Sequence, residues 1–438
     1  MPSIPQLATA IEHVLTDVAR QAARSTGCIK RQRAFDGAQF VQLLVFGWLA
    51  DPHASLADLA LFAADLGISI SPQALDQRFT PAAVACLEQV LHAALAQVIA
   101  ADPCAIPLLD RFPHVLIHDT TTISLPDALA ATFRGCGGSH GSGAAAVKAH
   151  LRLDARTGQL EGPLLQDGRA SDRALCFRRR PPSGSLTLRD LGFFQLDDLA
   201  ADQRDGQHWL GHLKPNTAVF HDGERLDLAT FLPLQQSSTL DLNVTIGVKQ
   251  RVPCRLLAVA VPEAVAKQRR ERLRKEARDK QYTLRPERLL LCGWTLMITT
   301  LRAEELSVQE ALVLLKLRWQ IELLHKLWKS HGGVDETRGE RAARVLCELY
   351  AKFLGMLIEH WLLVTGCWET LERSLVKAAK VVRTSARRLA RAMGRSGRLQ
   401  AALREVMKWL ARAGHQTKRR KDPNTYQLLL DPTLLSLT

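Results

Sequence analysis

Over the first hundred residues apolar and polar positions recur at helical spacing almost throughout. The longest apolar-rich run, Phe40 to Ala50, contains a Gln and a Gly. It is shorter than the roughly 18 residues that a membrane span needs, so it reads as a core helix. Ser55 can cap a helix over Leu56 to Leu66, Gly67 supplies a left-handed stop, and Ser71-Pro72 opens a further helix through Phe79. Two short helices joined by a tight turn have the outline of a helix-turn-helix, an outline that plain packing pairs share.

The period changes at Val115. Val115-Leu116-Ile117-His118-Asp119-Thr120 is an apolar run ending in an acid, the pattern of a buried strand that delivers a carboxylate at its C-terminal end. Val147, Leu151 and Leu153, a turn from Asp154 to Gly158, then Leu160, Leu164 and Leu165 predict a hairpin. Leu186 to Phe194 predicts another strand, with Asp190 at its end before Gly192. An Asp in such a place is more often a turn-former or cap than a ligand. Strands are also predicted over Asn243 to Val248, Leu256 to Val261 and Leu289 to Thr299, with a basic helix, Val265 to Lys280, among them.

Ser307 and Glu310 form a capping box that opens a helix expected to run to about Lys329, ahead of Gly332-Gly333. At 100° per residue, Arg318, Glu322, His325, Lys326 and Lys329 fall within about 60° of Glu322. Lys316 and Gln320 alone interrupt the apolar remainder, which includes Leu317, Trp319, Ile321, Leu324 and Trp328. A surface helix has the reverse proportions, so this narrow charged stripe must face something polar. Ion pairs four residues apart, at about 0.2–0.5 kcal/mol each, poorly explain four potential cations around one carboxylate. A metal ion on Glu322, with phosphate oxygens on the flanking cations, accounts for both signs of charge.

Composition then narrows the partners. The 438 residues carry 58 Lys and Arg against 44 Asp and Glu, a net charge of +14, and 47% are hydrophobic. A single small module and a wholly disordered chain are both excluded. The charge is uneven: residues 1–110 are net −4, 111–365 net +7 and 366–438 net +11. The last segment reads as helices studded with Arg and Lys and then the run Lys418-Arg419-Arg420-Lys421, a surface suited to a polyanion. In the acidic N-terminal segment Lys30, Arg31 and Arg33 are the local exception. Nine cysteines without a CxxC pair point to neither a disulfide framework nor a zinc site. With no recognisable secretory signal, a reducing cytoplasm is expected.

Arg318-Trp319-x-Ile321-Glu322-x-x-His325-Lys326-x-Trp328-Lys329 resembles the signature helix of the DDE transposases of bacterial insertion sequences, in the insertion-sequence-four family. Asp119-Thr120-Thr121-Thr122 and Asp190-Leu191-Gly192-Phe193 resemble the blocks that carry that family's two aspartates, in the same order. One position departs: the family has a Tyr three residues before the Arg, and here it is Leu315.

The resemblance implies an α/β fold with an RNase H-like catalytic core interrupted by a β-rich insertion. The implied segments are a helical N-terminal domain with candidate DNA contacts over 1–110, core over 111–199 and 306–365, the insertion with its basic helix over 200–305, and a basic helical C-terminal region over 366–438. It implies that Asp119, Asp190 and Glu322 bind two divalent metals, normally Mg2+ with Mn2+ able to substitute. Arg318 and Lys329 would hold the DNA backbone near the scissile phosphate, with Lys326 and His325 as auxiliaries. Trp319 would either stack on a displaced base or pack in the core, and its angle at the stripe's edge favours the core. The expected activity is cut-and-paste transposition on double-stranded DNA, at terminal inverted repeats and target DNA. It would be carried out by a homodimer on DNA, in a bacterial cytoplasm at the nucleoid and without membrane association. A transposase-derived DNA-binding protein without catalysis, and an RNase H-like nuclease without strand transfer, are the competing expectations.

Overall fold

The structure is a computed structural model that describes residues 3–30, 35–103, 105–137, 143–171, 177, 179–370, 372–415 and 423–435. Arg31, Arg33 and the run Lys418 to Lys421 lie outside the described residues. The fold is mixed α/β with helical regions at both ends of the chain. Its strands are β1 (Val115–Leu125), β2 (Ala145–Asp154), β3 (Leu160–Asp167), β4 (Leu186–Arg189), β5 (His208–His212), β6 (Val219–His221), β7 (Glu224–Leu226), β8 (Thr239–Ile246), β9 (Val252–Ala260) and β10 (Trp294–Thr299). By its internal contacts the chain divides into two compact units, each assembled from three stretches of sequence.

The first unit comprises residues 1–104, 119–177 and 320–418. Its centre is the Ala342–Cys367 helix, buried along most of its length, which packs on the Gly37–Ala50, Pro81–Leu95 and Ser396–Ala413 helices. Gly37–Ala50 is the core helix that its apolar run predicts, with an Asp36–Gln39 capping box at its start. Ser55 caps Leu56–Asp65, and Gly67 takes the expected left-handed conformation at φ +77°. The following helix, Pro72–Asp76, stops three residues sooner than the pattern predicts. Asp76 accepts there from Arg341 Nη2 at 2.6 Å, and Arg344 Nη1 lies 3.4 Å away. The β2–β3 hairpin is present, and Gly158 makes its turn at φ +71°, where a Cβ would come within 2.5 Å of Trp368.

The second unit comprises residues 105–118, 178–319 and 419–438. Here the first residues of β1 pair in parallel with β4, and β4 with β5. The order then continues β10, β9, β8, β6, β7, with antiparallel pairing from β5 onward. Apolar residues such as Trp209, Leu232, Leu256 and Ile298 fill one core. The predicted basic helix forms over Glu263–Asp279. Where a strand was expected from Leu289, the chain instead makes the Pro286–Leu291 helix, with Pro286 in its first turn, and extends only from Trp294.

A second expectation is corrected at Ser307. The capping box is formed, Glu310 N–H donating to Ser307 Oγ at 3.2 Å and Ser307 N–H to Glu310 Oε2 at 2.8 Å. The helix it opens ends at Leu317, and a separate helix covers Trp319–Ser330. The interruption falls at Arg318, whose side chain turns toward Asp190. Arg318 itself keeps right-handed helical dihedrals, φ −50° and ψ −32°, so the two helices meet without a reversal of the chain. Among the described residues no helix is long and apolar enough to cross a membrane.

Candidate active site

In the first unit Asp119 stands on β1 and its carboxylate is one-fifth exposed. Nδ1 of His325, from the Trp319–Ser330 helix, lies 3.3 Å from its Oδ2. The same helix is tied to β1 a second time, because Lys329 Nζ donates to the Thr122 carbonyl at 2.9 Å. Thr120 Oγ1 meets Nδ1 of the buried His150 on β2 at 2.8 Å, which fixes β1 beside the carboxylate. Glu322 lies half-buried one turn before His325, and Lys326 is exposed. The helix thus presents an acid, a buried imidazole and two cations within eight residues, and two of those groups reach the strand that carries Asp119.

In the second unit Asp190 directly follows β4 and caps the short turn Leu191–Phe193, accepting from Gly192 N–H at 3.4 Å. That is the capping role a strand-end Asp most often has. It also faces a cation: Arg318 Nη1 is 3.6 Å from Asp190 Oδ1, with only 16% of the Arg318 side chain exposed. Phe193, just after Asp190, stacks on His118 with ring centroids 4.2 Å apart. Pairing in this unit matches Ile117 with Leu188, and Asp119 and Asp190 each follow two residues later in their own segments.

The sequence reading missed His212, the last residue of β5, which follows the Arg189–Gly211 register pair as Asp190 does. Burial holds its imidazole below the usual histidine range, and the Arg318 and Arg269 guanidiniums press the same way. A hydrogen bond with the Leu296 backbone and the Asp190 carboxylate oppose the shift. The signal for it was weak, a lone His in Trp209-Leu210-Gly211-His212. Trp319 corrects the core expectation outright, since 55% of it is exposed. His325, expected beside DNA, is instead buried at 7% exposure and turned to Asp119.

Among the described residues no three His, Cys, Asp or Glu side chains form a ready metal-ligating group. The donor chemistry nonetheless suits a hard divalent cation, because Asp119, Asp190 and Glu322 offer only carboxylate oxygens. An imidazole, His325, stands against Asp119 and a guanidinium, Arg318, against Asp190.

Residues 110–358 match the family model described as "Transposase DDE domain". The chain is 26% identical over 372 residues to the transposase for insertion sequence element IS231F of Bacillus thuringiensis subsp. israelensis, covering 79% of this chain and 77% of that protein. It is 23% identical over 367 residues to the transposase for insertion sequence element IS1151 of Clostridium perfringens, covering 78% and 77%. It is also 28% identical over 232 residues to the putative transposase InsL for insertion sequence element IS186A of Escherichia coli (strain K12), covering 50% and 61%.

Proposed function

The chain belongs to the transposase DDE domain family, and from that membership we propose that it binds the ends of an insertion sequence, cuts them and joins them to target DNA. The matched span contains all three candidate carboxylates. The observation that carries the reading is the pairing of Asp119 with His325, since it ties one carboxylate to the helix that bears another, Glu322.

In this reading Asp119, Asp190 and Glu322 hold two divalent cations, normally Mg2+. Bound there, such ions supply activation of water or a 3′-hydroxyl and stabilisation of the departing 3′ oxygen. His325 orients Asp119, as outer groups do for metal ligands. Lys329 spends one of its three ammonium donors on Thr122 and keeps the others for a phosphate oxygen. Exposed Lys326 serves the same backbone, and Arg318 offsets the charge of Asp190 close to where a phosphate would bind. Exposed Trp319 is available to stack on a displaced base. Joining two ends requires two such sites, so the working species is a homodimer on DNA.

The test uses a supercoiled plasmid carrying the gene with its flanking DNA. Wild-type chain with Mg2+ or Mn2+ should nick it at the element's ends, and Glu322→Ala should reduce nicking to the metal-free background while keeping its circular dichroism spectrum. Equal cutting by Glu322→Ala would remove Glu322 from the ligand set. Specific DNA binding without any nicking would favour the non-catalytic reading, toward which Leu315 in place of the family's Tyr inclines.

A further inference from the structure

We propose that the outward face of the Leu375–Ala392 helix, with the turn after it, is a second DNA-binding surface that grips the phosphate backbone of a duplex and uses none of the catalytic side chains. This rests on the reading of the chain as a DNA-binding transposase. The helix contains Lys377, Lys380, Arg383, Arg387, Arg388 and Arg391 and not one carboxylate. Ala378, Ala379, Val382, Ala386, Leu389 and Ala390 bury its inner side. Lys377, Lys380, Thr384, Arg388 and Arg391 recur three or four residues apart on the opposite side, all exposed. At 1.5 Å per residue this row is about 21 Å long. Exposed Arg395 and Arg398 follow in the turn after the helix and the first turn of the Ser396–Ala413 helix.

Neighbouring carboxylates offset only part of this charge. Asp65 takes both Arg387 and Arg391, at 2.8 and 3.4 Å. Arg383 turns inward, donating to the His331 carbonyl at 2.7 Å beside the buried Glu359. Among the described residues Lys380, Arg388, Arg395 and Arg398 carry no ion pair, and of the four Arg388 feels a carboxylate at longer range, Glu405 on the next helix. Cations held in a row repel one another, and a polyanion that displaces their counterions relieves the repulsion.

The same features argue against a protein partner. A protein interface needs an apolar centre, and Val376 is the one large hydrophobic residue exposed on this helix among those described. A twofold contact between copies would set this row against its own image, like charge against like. A straight row of cations fits a backbone whose charges repeat every few ångströms.

The experiment measures binding of the full chain to a 25-base-pair duplex of arbitrary sequence by fluorescence anisotropy, from roughly 50 to 300 mM NaCl with chelator present so that no strand is cut. The quadruple variant Lys380→Ala, Arg388→Ala, Arg395→Ala, Arg398→Ala should bind more weakly. Its plot of log affinity against log salt should be shallower by roughly 3 to 4, about 0.9 for each lost phosphate contact. A charge-keeping variant, Lys380→Arg with Arg388→Lys, Arg395→Lys and Arg398→Lys, should restore the wild-type slope, which separates the effect from misfolding. A quadruple variant with the wild-type slope and affinity overturns the proposal. So does a change in oligomeric state by light scattering with the slope unmoved, which would assign the row to a protein contact. A wild-type chain that fails to bind the duplex at any salt defeats the transposase reading as well, so the two failures are distinguishable.

Discussion

Asp119 is held by a side chain that the sequence places more than two hundred residues away, and the way it is held decides what the site tolerates. His325 is buried and its Nδ1 sits 3.3 Å from the carboxylate. Removing it frees the carboxylate to rotate without removing any proposed metal ligand. His325→Ala is therefore expected to lower Mg2+-dependent nicking by about 10- to 100-fold, the usual range for outer groups of a metal site, with part of the loss recovered at higher Mg2+. Unchanged nicking across a Mg2+ titration would show that the pair has no bearing on the carboxylate's task. The candidate acids were legible as positions, Asp119 at the end of an apolar run and Glu322 in a charged stripe, although a strand-end Asp alone more often caps a turn. The depth of His325 was not, because an angular projection gives direction around a helix and no distance to what lies opposite. Trp319 failed for the complementary reason, since an aromatic ring at a stripe's edge fits either side and only the packing decides.

At the scale of elements, the Trp319–Ser330 helix ends against one buried cation, Lys352, and one partly buried, Arg383. Lys352 Nζ donates to the Gly333 and Glu336 carbonyls at 2.9 and 2.7 Å and pairs with Glu348 at 2.8 Å, both side chains being 2% exposed. Arg383 bonds the His331 carbonyl and stands 3.9 Å from Glu359. Such groups are costly to bury, and they satisfy carbonyls that the end of a helix leaves without partners. Two neighbours on the Ala342–Cys367 helix make that cost depend on pH. Burial pushes the Glu359 carboxyl up to about 7, with Arg383 pulling back. Burial pushes the His360 imidazole down to about 4, opposed by its bond to the Gly158 carbonyl. With a raised pKa, Glu359 contributes stability that is full below 4.5 and lost as pH rises to 7. With a depressed pKa, His360 contributes stability that is full above 6.5 and lost as pH falls to 4. Between pH 4.5 and 6.5 the two dependences cancel in the wild-type chain. Glu359→Gln should expose the histidine's, a loss of about 3 kcal/mol from pH 6.5 to 4, and His360→Gln the glutamate's, about 3 kcal/mol from pH 4.5 to 7. Urea denaturation at a series of pH values reads this directly, and three parallel curves would refute it. These buried titratable groups were not legible beforehand, because nothing in the order of Glu348, Lys352, Glu359 and His360 tells a core helix from an exposed one.

For the whole molecule, the order of segments along the chain is a poor guide to what packs with what. The family resemblance implied an α/β fold, and a mixed α/β fold is what forms. Apolar periodicity reports that a face is buried but carries no address for its partner. Each unit therefore draws on three distant stretches, and residues 1–104 share theirs with 119–177 and 320–418. The clearest case is Gly355, in the middle of the Ala342–Cys367 helix, where a Cβ would stand 3.5 Å from Leu49 Cβ and from the Val45 carbonyl. This contact shows that the Gly37–Ala50 helix, buried along nearly its whole length, packs on a helix three hundred residues later. A fragment of residues 1–104 alone would expose Val45, Leu49 and their neighbours, an apolar surface larger than an isolated soluble domain usually leaves open. It should have helical content by circular dichroism but no cooperative thermal transition, and it should bind a hydrophobic dye such as ANS. Mixing it with a fragment of residues 320–418 should reduce dye binding if these two stretches are enough to close the core. A sharp thermal transition in the 1–104 fragment by itself would show that the N-terminal helices form an independent domain, and that the cores of the two stretches are separable.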